Sequence, residues 1–85
     1  MTYETLANLK VALDNNLNQM VCLSFTEDLE NRQSIIRARL QDDFILEVRT
    51  DWDNRYEMTE DQLFLSLLLA FKSQFEEVYG DAVCN

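Results

Sequence analysis

Asp51, Asp53 and Glu57 are the carboxylates whose spacing comes nearest to a ligand loop, and the pattern fails on its geometry. A calcium loop turns on a central glycine and closes with a glutamate at its twelfth position; counted from Asp51, that position is Gln62 and no glycine intervenes. Nucleophilic and acid–base chemistry fare no better. Histidine is absent, neither Cys22 nor Cys84 has an evident base, and a single glycine, Gly80, cannot build a phosphate loop. Two cysteines this far apart, with no CxxC pair, indicate neither a zinc site nor a disulfide scaffold. The residues therefore predict reduced thiols, no cofactor, no metal and no catalytic activity.

Negative charge is what remains. Sixteen acidic residues against seven basic ones give a net charge of −9. That balance argues against direct nucleic-acid binding, because phosphate contacts need lysine and arginine. It favours a basic partner, or simply solubility, which also keeps many proteins acidic. The acids gather where connections are predicted. Glu27, Asp28 and Glu30 follow the first strand, Asp42 and Asp43 sit at a hairpin tip, and Glu76, Glu77 and Asp81 close the last helix. These three groups are the candidate partner-binding residues. Carboxylates held on a rigid scaffold can enter a groove built for phosphates, releasing the same counterions and steering the same encounter.

The elements that position these groups follow from periodicity. Residues 58–80 carry the strongest signature: Thr59 as N-cap, Gln62 completing a capping box, Met58 and Leu63 as a hydrophobic staple, Glu60 and Asp61 in the first turn, and Gly80 as a left-handed terminator. Leu63, Leu67, Phe71, Phe75 and Val78 follow the helical period. Phe64, Leu65, Leu68 and Leu69 extend the apolar surface around the cylinder, so this helix is either the core of the fold or partly an interface. A first helix is capped by Thr2, repeats Leu6, Leu9, Leu13 and Leu17, and is expected to end at Asn15 and Asn16.

Between the helices the period changes to two. Residues 19–26 read as a strand with Val21, Leu23 and Phe25 inward, followed by an acidic connection in which Leu29 tucks inward. Ser34, Ile36, Ala38 and Leu40 face inward on a second strand, with Ile35, Arg37 and Arg39 outward; Phe44, Leu46 and Val48 do so on a third. Shared parity requires a three-residue loop of Gln41, Asp42 and Asp43. This sets Leu40 opposite Phe44 and Arg37 opposite Glu47. Residues 50–57 read as a connection whose Trp52 and Tyr56 are either lids over the core, which is the favoured reading, or exposed anchors of a contact surface. The whole is a single α+β domain, a two-layer α-β-β-β-α arrangement with an antiparallel meander packed on helices. Double-stranded-RNA-binding domains share this order but need a basic helix end, which is acidic here. The apolar run of the last helix is too short and too bounded by charge to span a membrane. The N-terminus lacks a basic-then-apolar leader, so a cytoplasmic location is expected.

The stretch Val21-Cys22-Leu23-Ser24-Phe25-Thr26 with Gln33-Ser34-Ile35-Ile36-Arg37, and Ala70-Phe71-Lys72 with Glu76, Tyr79 and Asp81, resembles a family of small acidic phage anti-CRISPR proteins. The family's hairpin turn carries glycine and asparagine where this chain has Gln41, Asp42 and Asp43. The resemblance implies an inhibitor of the RNA-guided nuclease of type II-A CRISPR systems. Such a protein occupies the site that reads the short DNA motif beside the target, with Asp42, Asp43, Glu76, Glu77 and Asp81 as the matching acids. A monomer in the bacterial host cytoplasm is the expected form. The other reading is a dimeric interaction module, such as a secretion chaperone or immunity protein, that uses the surplus apolar face of the long helix.

Overall fold

The computed structural model describes residues 1–83, and side chains through residue 79. Helix α1 (Tyr3–Leu17) leads into strands β1 (Cys22–Asp28), β2 (Gln33–Arg39) and β3 (Ile45–Asp51), then the short helix α2 (Trp52–Glu57) and the long helix α3 (Glu60–Val83). The strands form one antiparallel sheet in the order β1-β2-β3, so the meander and the α+β two-layer arrangement are as the periodicity requires. The 24 residues of α3 at about 1.5 Å each account for most of the 39 Å long axis.

Both helix starts are built as their sequences specify. Thr2 Oγ1 accepts the Thr5 N–H at 3.1 Å. Thr59 and Gln62 form the reciprocal capping box, with Gln62 N–H on Thr59 Oγ1 at 3.2 Å and Thr59 N–H on Gln62 Oε1 at 3.0 Å. The helix ends differ from expectation. Helix α1 runs past Asn15 and Asn16, whose side chains face solvent, and stops at Asn18 in the left-handed conformation (φ 55°) with its N–H on the Asp14 carbonyl. Helix α3 continues through Gly80 to Val83, so glycine does not terminate it.

One face of the sheet is covered. Leu9, Leu13 and Leu17 of α1 and Leu63, Leu67 and Phe71 of α3 pack over Ile36, Ala38, Leu40 and Leu46, with Val21 at the entry to β1. Glu60 joins the starts of α1 and α3 by accepting from Thr5 Oγ1 at 2.7 Å and from the Thr2 N–H at 3.3 Å. The register sets Arg37 against Glu47 with their charges 2.7 Å apart, and Leu40 bonds to the Phe44 carbonyl at 2.8 Å across the three-residue loop. Asp43 supplies the left-handed residue that this loop type needs (φ 66°), at the place where glycine is usual.

Three expectations are corrected. Strand β1 starts three residues and ends two residues later than its apolar alternation suggests, so Glu27 and Asp28 are strand residues and not a connection. Leu29 does not tuck inward; it is 75% exposed on a turn closed by Asp28, which accepts from both the Asn31 N–H and side-chain amide. The stretch before α3 is largely helical. Its Trp52 is half-buried, but Tyr56 is 74% exposed and covers no core.

Phe71 is fully buried where α3 meets the other core side chains. Phe71→Ala should therefore cost about 3 to 5 kcal/mol in chemical denaturation, a large share of the stability of so small a domain. A loss below about 1 kcal/mol would show that α3 is not the core helix.

Candidate functional site

The candidate carboxylates divide into two sets at opposite ends of the sheet. The turn after β1 and the β2–β3 hairpin tip are separated by the length of β2, about 20 Å for seven residues.

At the far end, Glu27 and Asp28 are engaged within the protein. Glu27 points to the inner face, where Oε2 accepts from Trp52 Nε1 at 2.8 Å and from Ser34 Oγ at 3.1 Å, and Oε1 accepts from Arg55 at 3.1 Å. Arg55 also donates to the buried Ser34 hydroxyl at 2.6 Å. Burial opposes ionisation of Glu27, but the bonds from Trp52, Arg55 and Ser34 together outweigh it and hold its pKa below the ordinary glutamate value. Asp28 faces the other side of the sheet. There Arg49 bridges it to Glu47, which Arg37 also contacts, making a chain of charges across all three strands. Ile35 lies buried on that face. Sequence reading saw the Arg37–Glu47 pair but missed this lattice and the Glu27 cluster, because their partners come from distant segments. Glu30 is exposed on the turn and makes no ion pair among the described residues.

The tip end is different. The Tyr79 hydroxyl donates to Asp42 Oδ2, and the Tyr79 ring packs edge-on against Phe44 and beside Phe75, with ring centres 6.2 and 4.8 Å away. Phe44 thus lies at the rim and not in the core. Asp42 Oδ1 also accepts the Phe44 N–H at 3.1 Å. The Tyr79 bond first, and the Phe44 N–H second, hold the Asp42 carboxyl below its ordinary pKa, and the bond to Asp42 raises the Tyr79 phenol. This contact brings the hairpin tip to the end of α3.

Helical rotation places Glu76 about 60° from Tyr79, whereas Glu77 points nearly the opposite way from it. Asp42, Asp43 and Glu76 therefore share one end of the molecule, and Glu77 marks its other flank. Asp42, Asp43, Glu76 and Glu77 are all exposed, and none is in an ion pair among the described residues. Lys72 is the only basic residue on α3. Asp81 belongs to α3, but its side chain lies outside the described residues, as does Cys84. Tyr79 was visible in the sequence only as an aromatic at the helix end; that it holds the tip depends on packing.

Among the described residues, no group of three or more histidine, cysteine or acidic side chains is placed to hold a metal ion. No described helix is long and apolar enough to cross a membrane. Compared with protein-family models, curated proteins and solved structures, the chain matches none.

The depressed pKa of Glu27 has a definite sign in stability. A carboxylate held below its unfolded value stabilises the fold above the ordinary glutamate range, and that contribution is lost as pH falls through the depressed value. Glu27→Gln should cost about 1 kcal/mol at neutral pH after allowance for solvent screening. The gap to the wild-type protein should close in acid, as followed by urea denaturation at several pH values. A gap that stays constant would show that the Arg55 pair contributes nothing.

Proposed function

We propose that this protein is a non-catalytic acidic inhibitor that occupies the DNA-binding surface of a basic, nucleic-acid-handling protein. The observation that supports this reading is the convergence of exposed, unpaired carboxylates at the hairpin tip and the end of α3, fastened by Tyr79 and Asp42. Arg37, Arg49 and Arg55 are engaged elsewhere, on the sheet face and on α2, which leaves Arg39, at the end of β2, as the arginine near this end without a carboxylate partner among the described residues. Fixed carboxylates lose little freedom on binding and meet lysine and arginine as a phosphate row would. The resemblance in the strands and at the helix end directs the choice of partner to the RNA-guided nuclease of type II-A CRISPR systems, as a phage-encoded inhibitor acting in the bacterial cytoplasm. In that complex the acids would face the arginines that read guanine edges.

The competing interaction-module reading rests on what is left of the apolar surplus of α3. Among the described residues of α3, Leu65, Leu69 and Val78 remain exposed, at 53%, 54% and 46%, and of these Leu65 and Leu69 are one turn apart. That is less than a stable helix-mediated dimer interface requires.

Charge reversal tests the proposal, but the variant has to spare the turn. Reversing Asp42 and Asp43 together would remove the Tyr79 contact and disturb a left-handed residue, so loss of binding would be ambiguous. Glu76→Lys with Glu77→Lys alters only exposed, unpaired side chains. In pull-downs from bacterial lysate and on the purified nuclease, this double variant should weaken capture and inhibition by about tenfold or more, with a smaller loss at high salt. Glu57→Lys, at the far end, should change neither. Equal behaviour of the two variants, or no salt-dependent partner for the wild-type protein, would reject the proposal.

A further inference from the structure

The two edges of the sheet, β1 and β3, are finished differently. In an antiparallel ladder every second residue of an edge strand turns its N–H and C=O away from its neighbour. On β3 one such residue is Glu47, and both its groups are taken by the side-chain amide of Gln74, at 3.1 and 2.5 Å. A carboxamide standing in for a strand closes that edge at its middle. On β1, the register with β2 and the Leu40 bond to Phe44 determine which amides point outward: those of Val21, Leu23, Phe25 and Glu27. Asp14 accepts the Val21 N–H at 2.8 Å. Among the described residues, no turn, loop or side-chain bond reaches the amides of Leu23, Phe25 or Glu27.

These open amides border a groove of about 430 Å³ between α1 and β1, lined by Tyr3, Leu6, Ala7, Lys10 and the start of the strand. Tyr3 and Phe25 are exposed there, and β1 carries neither the proline nor the lysine that commonly guards a free edge.

We propose that the β1 edge pairs with the β1 edge of a second copy of this chain, antiparallel about a two-fold axis at Phe25. The sheet then continues through six strands. Two features argue for a second copy in particular. The open amides are evenly spaced about Phe25, so Leu23 of one copy meets Glu27 of the other and Phe25 meets its equivalent, each pair bonding in both directions. The charges at the two ends of the edge are also opposite. Arg39 flanks the start of β1 and has no carboxylate partner among the described residues, whereas Lys10 there is paired with Asp14 at 2.6 Å. Glu30 follows its finish, exposed and in no ion pair among the described residues, while Glu27 and Asp28 there are held by Arg55 and Arg49. Antiparallel pairing sets Arg39 of each copy on the side of Glu30 of the other, while the two Phe25 rings meet under Tyr3 on the groove side.

Sedimentation equilibrium and residue-resolved amide exchange on the full chain test this. The expected result is twice the 10.0 kDa chain mass, with the Leu23, Phe25 and Glu27 amides protected about a hundredfold more in concentrated than in dilute solution. Phe25→Pro removes an outward N–H that β2 does not use, and should give a monomer that still melts cooperatively. A monomer at all concentrations with those amides exchanging freely overturns the proposal. So does a dimer in which they exchange freely, which would place the interface elsewhere, for instance at Leu65 and Leu69. Protection that arises only when a different protein is bound overturns it too. If Phe25→Pro does not fold, exchange in the wild-type chain decides.

Discussion

A three-stranded sheet has two faces, and this chain has helices enough for one. The burial of Leu63, Leu67 and Phe71 of α3, with Leu9 and Leu13 of α1, over Ile36, Ala38 and Leu46 commits the inner stripe of both helices to one face. The opposite face must then cover itself, and it does so with long charged side chains. Arg37, Glu47, Arg49 and Asp28 lie in a chain over that face, where Ile35 is buried. Methylene stems cover apolar surface while the charges pair above it. With arginines engaged there and beside α2, the negative charge left over stays at the ends of the molecule. The distribution of charge thus follows from the way the sheet is covered.

Much of this was legible in the residues. Alternation gave the parity of β2 and β3, and parity alone required the three-residue loop that puts Arg37 beside Glu47. Thr59 and Gln62 announced the start of α3 because a capping box is a local device. What could not be read was whatever depends on a distant partner. Glu27 and Asp28 look like turn residues until Trp52, Arg55 and Arg49 arrive to pair with them. Helix α2 has only six residues, too few for a period to show. Gly80 carries the mark of a helix end, but a glycine inside a helix costs only about 1 kcal/mol, and the following residues carry no proline to stop it.

The candidate site was legible to a similar degree. Composition singled out the hairpin tip and the end of α3, and Tyr79 joins the two through Asp42, Phe44 and Phe75. Glu27 and Asp28 serve the fold, and Glu77 faces away from the hairpin. The site is accordingly narrower than the sequence suggests, with Asp42, Asp43 and Glu76 at its centre. Asp42 is held by the Phe44 N–H and by Tyr79, so this part of the charge pattern is fixed before any partner binds. If β1 edges join two copies, each dimer carries two such ends, and a partner with two basic surfaces would bind with added avidity.

The central claim is that the acidic tip competes with DNA for the same surface. Displacement of a labelled duplex from the type II-A RNA-guided nuclease, titrated with the purified protein and followed by fluorescence anisotropy at several salt concentrations, tests it most directly. The account predicts complete, competitive displacement whose apparent affinity falls as salt rises. Binding that leaves the duplex in place, or displacement indifferent to salt, would contradict it.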